Sequence, residues 1–178
     1  MKKLIIVFSL IAGSVVGQHD FTPSRVEEDK ALSKYVFDYI NTYRDSINQK
    51  PYIWSEAWYD KSKEWCDYLS VNDEWRHSDG DPCMGFFELI VAVTLIDEEN
   101  DNYKFIADSA LRQWLSSNTH KGLIRAPRGE FVNDIGTVWY GTKYRDAMLV
   151  KYGAISANVL YIDNWKQIKI VFQLAICE

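Results

Sequence analysis

The sequence predicts an α+β domain in which helices pack on an antiparallel sheet. Apolar residues recur at helical spacing in the first two thirds of the chain, and segments rich in β-branched and aromatic residues follow in the last third. Helices and strands that are separated along the chain in this way are typical of α+β folds. With 178 residues, of which 47% are hydrophobic, the chain is long enough for one domain with a sizeable core.

Three amphipathic helices are predicted. The first runs from about Glu28 to Asn48 and stops before Pro51, because proline disfavours helical backbone in the residue that precedes it. Ser55 is the predicted N-cap of the second helix, which runs on to Leu69. The third contains the apolar positions between Ile106 and Leu115, and the polar segment that follows is expected to end it.

The remaining elements are a short apolar helix around Glu88 and three strands near the C-terminal end. The strands are predicted from β-branched and aromatic residues, with turn signals between them. They cover Asp134 to Tyr140, Ala154 to Ile162 and Ile168 to Ile176.

The N-terminus has the pattern of a signal peptide. Lys2 and Lys3 precede an apolar run from Leu4 to Ile11, and small residues follow, so cleavage is predicted after Gly17. An N-terminal anchor or a buried helix is the alternative. We therefore expect a signal peptide over residues 1–17 and a secreted or periplasmic protein.

The mature chain is expected to begin with a flexible leader and to continue as one domain. The leader covers residues 18–30 and the domain residues 31–178, with no transmembrane segment after cleavage, since no later apolar run is long enough. Export would permit disulfides. Three cysteines allow one internal bridge at most, with Cys66–Cys83 the shortest loop, or all three could be buried thiols.

Composition and local motifs exclude several classes of function. The net charge is −5 and no cluster of lysine and arginine occurs, so nucleic acid is not an expected partner. The sequence has no nucleophile elbow, P-loop, dinucleotide fingerprint, zinc-protease motif or EF-hand.

A series of spaced motifs nevertheless resembles the CAP superfamily, the SCP-like extracellular domains of cysteine-rich secretory, antigen 5 and pathogenesis-related proteins. The first motifs are Asn41-Thr-Tyr-Arg44, similar to the N-x-x-R of that family, and Pro51-Tyr-Ile-Trp54, similar to its P-L-x-W. His77 and Glu88 match its histidine and the glutamate of its G-E-N motif, at the same separation.

The later motifs extend this resemblance over most of the mature chain. They are Trp114 to Ser117, Thr119 to Ile124, Ile135 to Val138 and Val171 to Gln173. The resemblance implies a three-layer α-β-α sandwich with a central cavity, in which two histidines meet acidic residues and which binds zinc in some members.

Carried over to this chain, the resemblance assigns His77, Glu88 and His120 to the cavity and to a tentative zinc site. Ser117 occupies the place of a second glutamate, and Trp75, beside His77, is the candidate for the cavity rim or for a ligand contact. Two histidines and one carboxylate are a known catalytic zinc shell with room for water.

Three functions remain open at this stage. The first is an exported binding or interaction module for a divalent metal, a small or lipidic ligand, or a protein. The second is a metal-dependent hydrolase that uses the same cavity, so the sequence does not decide whether the protein is an enzyme. The third is a structural extracellular domain with a degenerate cavity, in which Glu88 is only a buried acid paired with a histidine.

Overall fold

The computed structural model describes residues 23–78, 87–95, 102–125, 151–163 and 165–175. The predicted signal peptide, the predicted strand from Asp134 to Tyr140, Cys83 and Cys177 lie outside these ranges. The described residues form β1 (Arg25–Glu28), α1 (Lys30–Ser46), β2 (Ile53–Trp54), α2 (Glu56–Val71), β3 (Phe87–Leu95), α3 (Tyr103–Ser116), α4 (Asn118–Arg125), β4 (Tyr152–Ile162) and β5 (Trp165–Ala175).

The sheet is antiparallel along its main path. Its strands lie in the order β1-β4-β5-β3, and the short β2 pairs in parallel with β4. In the described part of the chain, β3 pairs with β5 along its whole length, from Phe87 opposite Leu174 to Leu95 opposite Lys166. This pairing fixes which β3 side chains share a face with those of β5.

Helices cover both faces of this sheet. Since side chains alternate between the faces of a strand, β3 presents Leu89 to one side and Glu88 to the other. Leu89 belongs to the larger core, which the sheet shares with α1, α3 and α4. On the opposite face, Cys66 and Leu69 of α2 pack against Val171. The predicted α+β fold with three α-β-α layers is confirmed.

The three predicted amphipathic helices are also present, and the cap predicted for the second is confirmed. Asp29 caps α1 by accepting from the backbone N–H of Leu32 at 2.8 Å. Ser55 caps α2, as predicted, by accepting from the N–H of Trp58. A cap at each start supplies an acceptor for N–H groups that the helix itself leaves unpaired.

The short helix predicted around Glu88 is wrong, because this segment is strand β3. Six of its nine residues are buried, so the strand reads as a continuous apolar run instead of an alternating one. Such a run cannot be distinguished from a buried helix by periodicity.

Two further boundaries differ from the prediction. The segment expected to end the third helix forms a helix of its own, α4. Residues 25–28, placed by the sequence in a flexible leader, form β1 and pair with β4, and α1 begins at Lys30. An edge strand with mostly exposed side chains gives no alternating pattern, so β1 could not be recognised.

The end of α1 is held to the segments beside it by the side chains of Asn41 and Arg44. Asn41 bonds both backbone groups of Tyr52, accepting from its N–H at 2.8 Å and donating to its carbonyl at 3.1 Å. The fully buried Arg44 donates to the carbonyl oxygens of Lys50 and Ile124. These contacts hold the loop after α1 and the end of α4 together.

Cys66 is a buried free thiol, so of the two alternatives that the sequence leaves open the buried thiol holds for this residue. Its Sγ lies against the backbone carbonyl of Lys169 at 3.4 Å, and burial raises the thiol pKa to about 12. The residue therefore serves as a small buried side chain between α2 and the sheet. No helix among the described residues has the length and apolar content needed to span a bilayer.

Candidate functional site

Glu88 lies at the start of β3 on the face of the sheet that α2 covers. Its side chain is only 3% exposed, and a buried carboxylate is costly unless hydrogen bonds compensate for lost water. The loop after α2 and strand β5 supply those hydrogen bonds.

Four contacts occupy the two oxygens of Glu88. Oε1 lies 3.1 Å from Nδ1 of His77 and accepts from the backbone N–H of Ser78 at 3.0 Å. Oε2 accepts from the hydroxyl of Ser78 at 3.1 Å and from the amide Nε2 of Gln173 at 2.9 Å. Both oxygens are therefore committed to protein donors.

The same contacts explain the ionisation of Glu88. Burial raises the pKa of this carboxyl, but hydrogen bonds from His77, Gln173 and Ser78 together outweigh burial and leave the pKa below its ordinary value. Glu88 is consequently an anion at neutral pH. Since a carboxylate only accepts hydrogen bonds, the proton between the two residues must lie on Nδ1 of His77.

His77 differs from Glu88 in its exposure, because 51% of its side chain remains accessible. It follows α2 in a segment without regular structure and reaches back to β3 through Nδ1. Its other nitrogen, Nε2, takes no part in the contact with Glu88. The structure thus joins the two residues that the sequence pairs.

His120 approaches the site from α4 and is half-buried. Burial lowers its pKa, and repulsion from the nearby His77 ring lowers it further, so the two imidazoles lie within electrostatic range of each other. The described part of the chain shows no hydrogen bond between the His120 ring and Glu88. His120 is therefore a neighbour of the pair and not a third member of its hydrogen-bond network.

Ser117 has a structural task that the sequence did not assign to it. Its carbonyl accepts from the N–H of Lys121 at 2.8 Å, and its hydroxyl lies 3.5 Å from the N–H of His120. These are the contacts of an N-cap residue at the start of α4.

Replacement of Ser117 by alanine is expected to lower the free energy of unfolding by about 1 kcal/mol, the usual cost of removing an N-cap side chain. Urea unfolding monitored by circular dichroism measures this. Ser116→Ala is the matched control and should have a smaller effect, since that hydroxyl bonds a carbonyl within α3. A Ser117→Ala protein of unchanged stability would contradict the capping role.

Trp75 lies at the rim of this region and is 50% exposed. Its ring covers the ammonium of Lys169, whose Nζ is 4.9 Å from the ring centroid. Lys169 is fully buried and donates to the carbonyls of Leu69, at 2.7 Å, and of Glu74. These contacts hold the turn between α2 and His77 against the sheet, with Trp75 as its outer cover.

The described residues do not form a three-ligand metal shell. Within those ranges, no group of three His, Cys, Asp or Glu side chains is arranged so that it could hold a metal ion. Glu88 fits the ligand role poorly, because its oxygens already accept four hydrogen bonds. The donors that fit a metal are the two imidazoles, which are good zinc ligands when neutral.

Sequence reasoning missed Ser78 and Gln173 as parts of this site. Gln173 is in the closing-strand motif of the family, yet nothing in its neighbours along the chain indicates a contact with Glu88. The available signal is the register, because Gln173 becomes the cross-strand partner of Glu88 once β3 is recognised as a strand.

Comparison with known proteins identifies the family. The family model described as "CAP: Cysteine-rich secretory protein family" matches residues 37–148, a stretch that includes His77, Glu88 and His120. One similar solved structure is an outer surface protein from Borrelia burgdorferi, with 15% sequence identity and a TM-score of 0.48; the match covers 84% of this chain and 98% of that chain. No curated protein matches the sequence significantly. Because the family match covers more than half of the chain, the protein belongs to the cysteine-rich secretory protein (CAP) family.

Proposed function

We propose that this protein is an exported binding module of the CAP family and that its ligand site is built around His77, with His120 beside it. The observation that carries the proposal is the contact between an exposed imidazole and a buried, hydrogen-bonded carboxylate, His77 Nδ1 to Glu88 Oε1 at 3.1 Å. This contact orients the ring and leaves Nε2 available.

The chemistry of the pair favours a divalent metal ion such as Zn²⁺ as the ligand. Histidines that bind a metal through one nitrogen usually donate the other N–H to a carboxylate or carbonyl, which fixes the tautomer and raises the basicity of the ligating nitrogen. Glu88 is the carboxylate that accepts from Nδ1–H of His77 in this way. In this proposal Glu88 supports a ligand and is not itself the third ligand that the sequence suggested.

His120 would supply the second nitrogen. Its lowered pKa keeps the ring neutral further into acid than an ordinary histidine, and only a neutral imidazole can bind a metal. Two imidazoles with water in the remaining positions make an open site of modest affinity. Such a site suits reversible binding of a metal or of a ligand carried on it.

Hydrolysis is less well supported than binding. A general base should have a pKa near the working pH and a free lone pair directed at water. Glu88 has a lowered pKa and four donors on its oxygens. A purely structural domain is the remaining alternative, and a zinc titration distinguishes it from a binding module.

Export is proposed from the N-terminal pattern, with a signal peptide over residues 1–17, and agrees with the secretory members for which the family is described. The module would then act in a periplasm or outside the cell. Its partners there would be an extracellular ligand, a lipid or a protein.

Zinc titration by calorimetry tests the proposal, using the chain from Gln18 onward. We expect wild type to bind zinc at a single site, and His77→Ala and His120→Ala each to lower the affinity by at least about tenfold. Binding should weaken in acid, because a proton on an imidazole nitrogen competes with the metal for its lone pair.

His19→Ala is the matched control, since it removes the one histidine of the sequence that is not assigned to the site. It should leave the titration unchanged. If wild type takes up no zinc, or if all three variants bind as wild type does, the metal site is refuted and the structural alternative is favoured. Zinc-dependent turnover in a hydrolase screen would instead support the enzyme.

A further inference from the structure

We propose that Gln173 is a positioning residue: acting through Glu88, it holds His77 as the Nδ1–H tautomer and so leaves Nε2 free to bind. This inference rests on the proposed function and adds two residues to the site, Gln173 and Ser62. Neither is near His77 in the sequence, and both are buried.

The register of the sheet places Gln173 directly beside Glu88. The two residues are cross-strand partners in the antiparallel pair of β5 and β3, and both point toward α2. Partners in such a pair have Cβ atoms about 5 Å apart, which is within reach of a side-chain hydrogen bond. The amide Nε2 of Gln173 donates to Oε2 of Glu88 at 2.9 Å.

Ser62 on α2 supports the orientation in which the NH₂ end of the Gln173 amide faces Glu88. The Ser62 hydroxyl lies 3.2 Å from Oε1 of Gln173 and 3.3 Å from the carbonyl oxygen of Ala154. When it donates to Oε1, the amide must present its NH₂ group to the carboxylate. The reversed amide would bring its oxygen against Oε2 and leave two acceptors in contact in a buried place.

The Glu88 carboxylate, held in this way, in turn fixes the tautomer of His77. Donors from Gln173 and Ser78 hold Oε2, which fixes the plane of the carboxylate and the position of Oε1. Oε1 can pair with His77 only if Nδ1 carries the proton. Without the Gln173 donor, Oε2 keeps only the Ser78 hydroxyl, so the carboxylate is held less firmly and the preference of the ring for Nδ1–H weakens.

The test is the tautomer of His77, read from long-range ¹H–¹⁵N correlations of the imidazole without metal. Wild type is expected to show the Nδ1–H form. Gln173→Met, of similar size but without hydrogen-bonding groups, should give a mixture of tautomers and lower the zinc affinity by about tenfold, as loss of a supporting contact does in metal sites.

Gln113→Met is the matched control. Gln113 also donates to β3, to the carbonyl of Ala92 at 3.0 Å, but has no contact with Glu88. This variant should keep both the tautomer and the zinc affinity of wild type, while a merely structural effect of losing a glutamine at β3 would appear in both variants.

Ser62→Ala is the second variant, in case Gln173→Met does not fold. It leaves the amide in place but frees it to reverse, so a smaller shift of the tautomer is expected. If Gln173→Met retains the wild-type tautomer, the inference is overturned. If that variant does not fold, a wild-type tautomer in Ser62→Ala overturns it. If the variant shifts the tautomer but the wild-type protein takes up no zinc, the positioning role of Gln173 is upheld and the proposed metal site is refuted.

Discussion

Glu88→Ala is expected to lower the free energy of unfolding by about 3 kcal/mol. The change removes the acceptor for the buried amide of Gln173 and for the half-buried N–H of Ser78, and an unsatisfied buried donor costs about 1–3 kcal/mol. It also releases His77 from the sheet. Urea unfolding measures the loss, and a decrease under about 1 kcal/mol would show that water replaces the carboxylate at little cost.

The pH dependence of stability shows how much of the contribution of Glu88 depends on its negative charge. Because the folded-state pKa is lowered, the stabilising contribution is present in full above the unfolded-state value of about 4.3 and is lost as the pH falls through the folded-state pKa. Glu88→Gln should therefore be less stable than wild type at neutral pH, and the difference should shrink in acid. A difference that stays constant down to acid pH would contradict this assignment.

Arg44→Ala is expected to destabilise the fold more strongly, by about 3–5 kcal/mol, because two carbonyls lose their donors at about 1–3 kcal/mol each and a cavity is left. Nε and Nη2 of Arg44 donate to Lys50, and Nη1 donates to Ile124 at 2.6 Å. The guanidinium also stacks on Tyr52, with its carbon 3.8 Å from the ring centroid. The variant would leave a cavity and two carbonyls without these donors.

Two further variants control this experiment. Arg112→Ala removes a largely exposed arginine, paired with Asp108 one helical turn away, and should change stability little. Arg44→Lys keeps the charge but cannot reproduce a planar group with three donors in these positions, so it should recover only part of the loss. If Arg44→Ala and Arg112→Ala are equally stable, Arg44 does not hold the loop after α1 and the end of α4 together.

How far the fold follows from the sequence depends on how its elements are buried. Helices α1, α2 and α3 each bury one stripe and expose the rest, so their spacing and caps identify them. Strand β3 is buried on both faces and was predicted as a helix. Strand β1 is held by backbone pairing at an edge, which leaves no pattern in its side chains.

The site was predictable to a similar extent. The pairing of His77 with Glu88 followed from the family motif and its spacing, and the structure contains it at 3.1 Å. The supporting contacts of Gln173 and Ser62 depend on register and on the placement of α2, which are tertiary properties. The role of Ser117 was missed because α4 was not expected to start there.

The cross-strand pair of Glu88 and Gln173 also has a consequence for folding. A slip of β3 by one residue against β5 would move every β3 side chain to the other face, and Glu88 would then enter the apolar layer formed with α1, α3 and α4. An unpaired carboxylate there is costly, so sheets slipped by one residue are disfavoured. Glu88, which orients His77, would thus also disfavour a one-residue slip of β3 against β5.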